Sequence, residues 1–156
     1  MKAIFLDIDG VLNNEKHILL LYDLLGKNQY FKLRQACGNT PLNYEACRLV
    51  DELATETDAK IIISSTWRVS SEDIEFAQEQ FINKFYAKTP ILHTIRGEEI
   101  ELFLKNHKEI DNYVIIDDDS DMLEKQLDHF VVIDRYNGFT LDDYKKCKEI
   151  LNEKFD

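Results

Sequence analysis

The sequence has few of the residues that build disulfide frameworks, flexible linkers and zinc sites. Its 156 residues include three cysteines, two prolines, five glycines and four histidines. The cysteines form no CxxC pair and leave an odd thiol, which favours free thiols in a reducing compartment. The histidines show neither HxH nor HExxH spacing, so no zinc site is expected. No Pro/Gly-rich linker or repeat divides the chain, and we expect one domain over residues 1–156.

Long apolar runs are also missing. The longest, residues 18–22, is far too short to span a bilayer. Met1 and Lys2 lead into a short strand-like segment and an aspartate rather than into an exported hydrophobic segment. We therefore expect a cytoplasmic protein with no membrane partner.

Positively charged residues are also scarce relative to negatively charged ones. Nineteen Lys and Arg residues face thirty Asp and Glu residues, which gives a net charge of −11. A surface of this sign repels polyanions and anionic membranes, so a wrapped nucleic acid is disfavoured as a partner. The 44% hydrophobic content is nevertheless ordinary for a globular protein that buries a core.

Buried strands alternate with helical patterns along the chain. Four segments rich in Ile, Val and Phe are nearly continuous in hydrophobicity, which is typical of parallel strands: residues 2–8, 60–64, 113–117 and 130–134. Apolar residues at helical spacing lie between them, at 46–53, 74–85 and 100–104. This alternation predicts an α/β fold with a parallel sheet.

Two further helical signals lie outside that alternation. A capping box at Thr140 and Asp143 predicts a C-terminal helix to about Phe155. Residues 13–40 are inserted between the first strand and its crossover helix, and they begin with an apolar helix at 18–25 that Gly26 stops. We expect this insertion to form a small helical flap.

The strongest chemical signal follows the first strand. Asp7 and Asp9 precede Gly10 at a strand's carboxyl end, where open α/β sheets place their ligands. Residues two apart in an extended chain point the same way, so we expect the two carboxylates to project together. Such charges repel unless a hard cation lies between them, and Gly10 allows a sharp exit of the chain. Alone, the pattern fits two solvated carboxylates in a turn equally well.

A second acidic cluster follows the strand at 113–117. It contains Asp117, Asp118, Asp119 and Asp121. If the two strands are neighbours, both clusters meet at one edge of the sheet, which is costly without a metal. Mg²⁺ takes one or two carboxylates together with water and phosphate oxygens, so the pair of clusters predicts a Mg²⁺–phosphate site. Helix capping and surface charge account for some of the four aspartates.

Hydroxyls rather than carboxylates end the strand at 60–64. Ser64, Ser65 and Thr66 can hold a phosphate oxygen without adding negative charge, although such residues are common in any turn. Trp67 suits either stacking on a base or sugar, or packing. Arg68 suits either a substrate contact or an acidic neighbour.

Together these elements resemble the haloacid dehalogenase (HAD) superfamily. The DxDG at 7–10, a strand ending in Ser64, a later cation and the pair at 117–118 stand in its order. The SSTWR string at 64–68 looks especially like the small HAD domains that also occur fused in RNA-repair proteins. The resemblance covers nearly the whole chain. It implies a three-layer, doubly wound parallel sheet of Rossmannoid type, with its first strand central and a minimal cap at about 13–40.

The resemblance also implies a reaction, which is phosphomonoester hydrolysis through an aspartyl-phosphate. Asp7 would attack phosphorus, and Asp9 would protonate the leaving oxygen and then activate water. Ser64 would grip the phosphoryl group, with Ser65 beside it. Asn13 resembles a family position and would orient substrate, unless it only bonds its own backbone.

The metal ligands follow from the same resemblance. Mg²⁺ would be held by the Asp7 side chain, the Asp9 backbone carbonyl and a carboxylate of the third element. The family uses either an adjacent acidic pair there or two acids four residues apart. We favour Asp117 first and Asp118 next, with Asp121 supporting the ligands.

The chain departs from the superfamily at the cationic position. A lysine usually lies between the second and third elements to pair with phosphate and nucleophile. Here Arg96, 21 residues before Asp117, precedes a helix and is our candidate for that role. Arginine grips phosphate through two nitrogens. Lys84, Lys88 and Lys105 are the fallbacks.

We therefore expect a Mg²⁺-dependent phosphatase, with a small phosphorylated molecule as its substrate rather than a polymer. One alternative is a receiver-like signalling module that is phosphorylated on a mid-chain aspartate, although the hydroxyl strand precedes the acidic one here. The other, suggested only by the resemblance, is an enzyme that heals 3′-phosphate ends of RNA or DNA. The net charge weighs against it unless cations such as Arg68, Lys84, Lys88 and Arg96 cluster locally.

Overall fold

The computed structural model describes residues 1–153 of the chain. Its centre is an all-parallel sheet of five strands in the order β3-β2-β1-β4-β5. The strands are β1 (Lys2–Leu6), β2 (Ala59–Ile63), β3 (Ala87–Lys88), β4 (Asn112–Asp117) and β5 (Phe130–Val132). The predicted α/β class and the central position of the first strand are confirmed.

Helices cover both faces of the sheet. They are α1 (Glu15–Leu25), α2 (Lys27–Cys37), α3 (Tyr44–Thr57), α4 (Ser71–Gln78), α5 (Arg96–Asn106) and α6 (Leu141–Asn152), with 3₁₀ turns at Thr66–Val69 and Glu124–His129. Alternate residues of β1 point to opposite faces. Ile4 and Leu6 join the core that contains α3 and α6, whereas Phe5 packs edge-to-face on Phe103 of α5, with ring centroids 5.8 Å apart. The predicted three layers are therefore present.

The structure corrects the predicted helix at 74–85. Helix α4 ends at Gln78, and the chain then turns because Asp51 of α3 accepts hydrogen bonds from the backbone N–H groups of Ile82 and Asn83. The next three residues, 84–86, form a connection that leads into β3. That two-residue strand is too short to produce a hydrophobic pattern, and the sequence did not predict it.

The insertion at 13–40 forms a helical hairpin from α1 and α2. The sequence predicted α1 but not α2, whose only buried residue is Tyr30. No residue of α1 is buried. The hairpin's helices contact each other, in part through the rings of Tyr22 and Tyr30, whose centroids are 5.7 Å apart.

Two other sequence predictions concern helices. Thr140 and Asp143 form the predicted capping box of α6, but the predicted last turn to Phe155 lies outside the described residues. Within residues 1–153, no helix is long and apolar enough to cross a membrane.

Candidate active site at the carboxyl edge of the sheet

Three carboxylates meet at the carboxyl ends of β1 and β4. The Asp7 N–H donates to the Ile116 carbonyl at 2.9 Å, which extends the ladder past Leu6 and places Asp7 beside Asp117. One carboxylate oxygen from each of Asp7, Asp117 and Asp118 lies within 4.8 Å of the others. The adjacency of the two strands therefore brings the two acidic clusters together.

Burial makes this cluster electrostatically expensive. Asp7 and Asp117 are buried, and loss of hydration raises the pKa of both carboxyls above the ordinary range. Repulsion from Asp7 raises the pKa of Asp117 further. Arg96 lowers both pKa values, and a hydrogen bond with Ser65 lowers that of Asp7. Two acids are held together here at a cost that a bound cation would offset.

The donor set fits Mg²⁺. Oδ1 of Asp117 accepts from the Asp119 N–H at 3.0 Å, but Oδ2 is buried and has no hydrogen-bond partner among the described residues. This buried acceptor is a position that a cation would satisfy. Because the converging groups are carboxylate oxygens, they suit a hard divalent cation rather than zinc or copper.

Asp118 is anchored by a residue that the sequence did not indicate. Nε and Nη2 of Arg135 donate to its Oδ2 at 3.0 and 2.7 Å. Arg135 follows β5 and its side chain is mostly exposed. Position 10, next to this ion pair, requires glycine for two reasons. A Cβ there would lie 2.4 Å from Asp118 Oδ2, and the backbone φ of +75° disfavours other residues.

That the Asp7 and Asp9 carboxylates project together stays a prediction, although strand β1 does not reach Asp9. The chain turns after Ile8, whose carbonyl accepts from the N–H groups of Val11 and Leu12, so the extended conformation ends before Asp9. Asp9 is exposed, and its carboxylate lies outside the three-carboxylate cluster. The metal role that the resemblance implies for Asp9 concerns its backbone carbonyl, and it stays a prediction.

Hydroxyls lie at the same edge, after β2 and β3. Ser64 continues the ladder through its N–H, which donates to the Leu6 carbonyl at 3.0 Å. Ser64 Oγ and Thr89 Oγ1 are both buried without a partner among the described residues. Ser65 is buried beside Asp7, whereas Thr66 is exposed. Thr89 is a candidate that sequence reasoning missed because β3 was not predicted.

The guanidinium of Arg68 is buried and surrounded by acceptors from the protein itself. It donates to the carbonyls of Ser64 (2.6 Å), Ser65 (2.7 Å), Thr89 (3.2 Å) and Pro90 (3.2 Å). Nη2 also pairs with Glu99 Oε2 at 2.5 Å. Arg68 thus ties the segments that follow β2 and β3 to α5, which favours the acidic-neighbour interpretation over substrate contact.

Arg96 is the cation that acts on the cluster. Its Nε lies 4.0 Å from Glu99 Oε2, and its Nη1 is buried without a partner among the described residues. The buried Glu99 therefore lies between Arg68 and Arg96, and it also accepts from the Leu92 N–H at 2.9 Å. Sequence reasoning missed Glu99, whose only signal was its position three residues after Arg96.

The fallback lysines lie in other environments. Lys84 lines a cavity at the amino end of β2, and Lys105 pairs with Glu101 at 3.3 Å. Lys88 is exposed, and its Nζ donates to the Arg68 carbonyl at 3.3 Å.

Asp121 accepts hydrogen bonds from the first residues of α5, the helix that begins at Arg96. Its Oδ2 accepts from the Arg96 N–H at 3.0 Å, and its carbonyl accepts from Gly97 N–H at 3.1 Å. It therefore caps α5 and is not one of the three clustered carboxylates. A Cβ at Gly97 would lie 2.6 Å from the Leu123 nitrogen, so this close approach requires glycine.

Fold and site together define a HAD-type hydrolase domain. Residues 3–144 match the family described as the HAD domain in Swiss Army Knife RNA repair proteins, and the chain belongs to that family. No curated protein and no solved structure matches the chain. The sheet order also differs from the 2-1-3-4-5 order of flavodoxin-like folds, which argues against the receiver interpretation.

Proposed function

We propose that the protein is a Mg²⁺-dependent phosphatase that hydrolyses a phosphomonoester through an aspartyl-phosphate on Asp7. The observation that most supports this proposal is that polar groups without hydrogen-bond partners, both donors and acceptors, lie at the same edge of the sheet. Among residues 1–153, a buried carboxylate oxygen of Asp117 has no donor, while Ser64 Oγ and Arg96 Nη1 have no acceptors. A cation and a phosphoryl group together would satisfy both sets.

The chain's own residues supply the steps of the reaction. An oxygen of Asp7 attacks phosphorus, the bond from phosphorus to the ester oxygen breaks, and Asp9 gives that oxygen a proton. Asp9 then takes a proton from water, whose oxygen attacks phosphorus and releases the Asp7 carboxylate and phosphate. Ser64 and Arg96 hold the phosphoryl oxygens throughout. Mg²⁺ held by Asp7, Asp117 and Asp118 would offset the negative charge that gathers there.

The substrate class and compartment belong to the same proposal. The charge of −11 favours a small phosphorylated molecule over a polymer. Cys37, Cys47 and Cys147 are unpaired, which suits the reducing cytoplasm, where we place the reaction.

The test is phosphate release from a panel of sugar phosphates, nucleotides, phosphopeptides and phosphorylated oligonucleotides with Mg²⁺. We expect turnover of at least one substrate class, and a loss of about 10³-fold or more in Asp7→Asn. Asp128→Asn removes an exposed carboxylate outside the cluster and should leave turnover unchanged. Equal turnover by the wild type and Asp7→Asn would refute the proposal.

A second candidate is a phosphatase for 3′-phosphate ends of nucleic acid. The family description names RNA repair proteins, and α2 provides a local exception to the acidic surface. Lys27, Phe31 and Arg34 are exposed at helical spacings of four and three, and α2 contains no acidic residue. A cation–aromatic–cation stripe of this kind suits a single strand. A steep salt dependence on an oligonucleotide would favour this candidate, and no preference over free nucleotides would oppose it.

A further inference from the structure

Both carboxylate oxygens of Asp9 are held by side-chain donors. The Trp67 indole N–H donates to Oδ2 at 3.0 Å, and the Asn13 amide Nδ2 donates to Oδ1 at 2.7 Å. The orientation of the Asn13 amide is fixed, because its Oδ1 accepts from the Gly10 N–H at 2.8 Å. An exposed carboxylate, which would otherwise rotate freely, is thus held in one orientation.

Trp67 is itself fixed by its surroundings. It is buried at the start of the 3₁₀ turn Thr66–Val69, and its backbone N–H donates to Ser65 Oγ at 3.3 Å. Its ring packs on Phe76 of α4, with centroids 6.2 Å apart. The segment that follows β2 therefore sets where the indole N–H points, and through it the orientation of Asp9 after β1.

We propose that Trp67 is a positioning residue for the general acid–base Asp9, an inference that rests on the proposed phosphatase function. The indole N–H can only donate, so Oδ2 keeps an acceptor role whether or not Asp9 carries a proton. Asp9 is not one of the three clustered carboxylates, and the contact with Trp67 fixes the direction of its carboxylate. Neither stacking on a substrate base nor packing alone requires this hydrogen bond.

The first test uses Trp67→Phe, which keeps an aromatic ring against Phe76 and removes the indole N–H donor together with part of the ring. Rates are compared on an alkyl phosphate, whose leaving oxygen needs a proton, and on p-nitrophenyl phosphate, whose leaving group hardly needs one. We expect kcat/KM to fall about tenfold or more on the alkyl phosphate and less than about threefold on the aryl phosphate. Equal losses on both substrates would assign Trp67 to packing and overturn the proposal.

Phe76→Leu is the matched control. It loosens the same ring contact but keeps the indole donor, so the loss on the alkyl phosphate relative to the aryl phosphate should be much smaller than in Trp67→Phe. If Asp7→Asn is as active as the wild type, the proposed function fails, whatever the two losses measured for Trp67→Phe.

The second measurement needs no turnover and no change at Trp67. The chain has one tryptophan, so its spectrum contains a single indole N–H resonance. Asp9→Leu removes the acceptor from an exposed position. We expect that resonance to shift and to exchange faster with solvent in Asp9→Leu. An unchanged resonance would show that the contact is absent and would overturn the inference, whatever the enzyme's activity.

Discussion

The carboxyl edge of the sheet and the α1–α2 hairpin differ in which groups they bury: the edge buries charged and polar groups, whereas the hairpin exposes apolar ones. At the edge, Asp7 and Asp117 are buried against their hydration preference, and four buried polar atoms there lack partners among the described residues. In the hairpin, apolar side chains stay in water: Leu24 is 73% exposed and Leu19 is 55% exposed.

This difference leads us to expect catalysis at the edge of the sheet and substrate selectivity in the hairpin. Buried groups with unmet charge and hydrogen bonds are costly to fold, so they are best explained by a ligand that satisfies them. The exposed hairpin has no such cost, and its basic and apolar surfaces can change without disturbing the sheet. We expect substitutions at the edge to alter catalysis or stability strongly, and substitutions in the hairpin to alter only substrate preference.

The largest effect expected after Asp7 itself is at Arg96. Arg96→Ala removes the cation that faces Asp7 and Asp117, and should lower kcat/KM by about 10²-fold. Lys32→Ala in the hairpin is the control and should change kcat/KM by less than about twofold on a small substrate. Steady-state kinetics on one aryl phosphate measures both. Similar losses in the two variants would remove the distinction between the regions.

Asp117→Asn should separate stability from function. Because the pKa of Asp117 is raised in the folded state, the folded protein keeps a proton that the unfolded chain releases. The metal-free wild type should therefore lose stability as pH rises from about 4 towards 8. The amide removes this penalty and should stabilise the metal-free protein at high pH by about 1–3 kcal/mol, or several degrees in Tm.

Thermal denaturation across that pH range, with and without Mg²⁺, measures the effect. Mg²⁺ should stabilise the wild type more at high pH than at low pH, and should have little effect on Asp117→Asn. A wild-type Tm that rises with pH without metal, together with a destabilised variant, would contradict the electrostatic description of the cluster.

The basic stripe of α2 should affect only polymeric substrates. The double change Lys27→Gln with Arg34→Gln should lower the rate on a 3′-phosphorylated oligonucleotide about threefold to tenfold and flatten its salt dependence. The rate on a small phosphate ester is the internal control and should not change. Equal rates on the oligonucleotide before and after the change would exclude the stripe as a contact surface.

The smallest effect is expected on the apolar side of α1. Leu24→Ser changes a side chain that is already in water, so the free energy of unfolding should change by about 0.5 kcal/mol or less. Ile116→Ala in the buried sheet is the contrast and should cost about 2–5 kcal/mol. Denaturant titration compares them, and a large loss from Leu24→Ser would show that the hairpin surface is covered.

The main elements and the position of the site were predictable from sequence. Four strands stand out because parallel strands buried on both faces are continuously hydrophobic. Asp7, Asp117 and Ser64 were candidates because each follows such a strand, and the carboxyl ends of neighbouring parallel strands share one edge. These features were predictable because each depends on residues that are close together in the sequence.

What the sequence could not supply depends on contacts between distant residues. The bonds from Trp67 to Asp9 and from Arg135 to Asp118 join segments far apart in sequence and leave no local pattern. The turn that ends the extended conformation before Asp9 was not predicted. Helix α2 was missed because its apolar residues do not form a buried stripe; only Tyr30 is buried.

The proposed function requires Asp7 to carry the phosphoryl group during turnover. The direct measurement is to quench a turning-over sample in acid, reduce the acyl phosphate with labelled borohydride and locate the label by peptide mass spectrometry. We predict label on Asp7, dependent on substrate and absent from Asp7→Asn. Label on Asp117, or rapid turnover without label on any aspartate, would contradict this prediction.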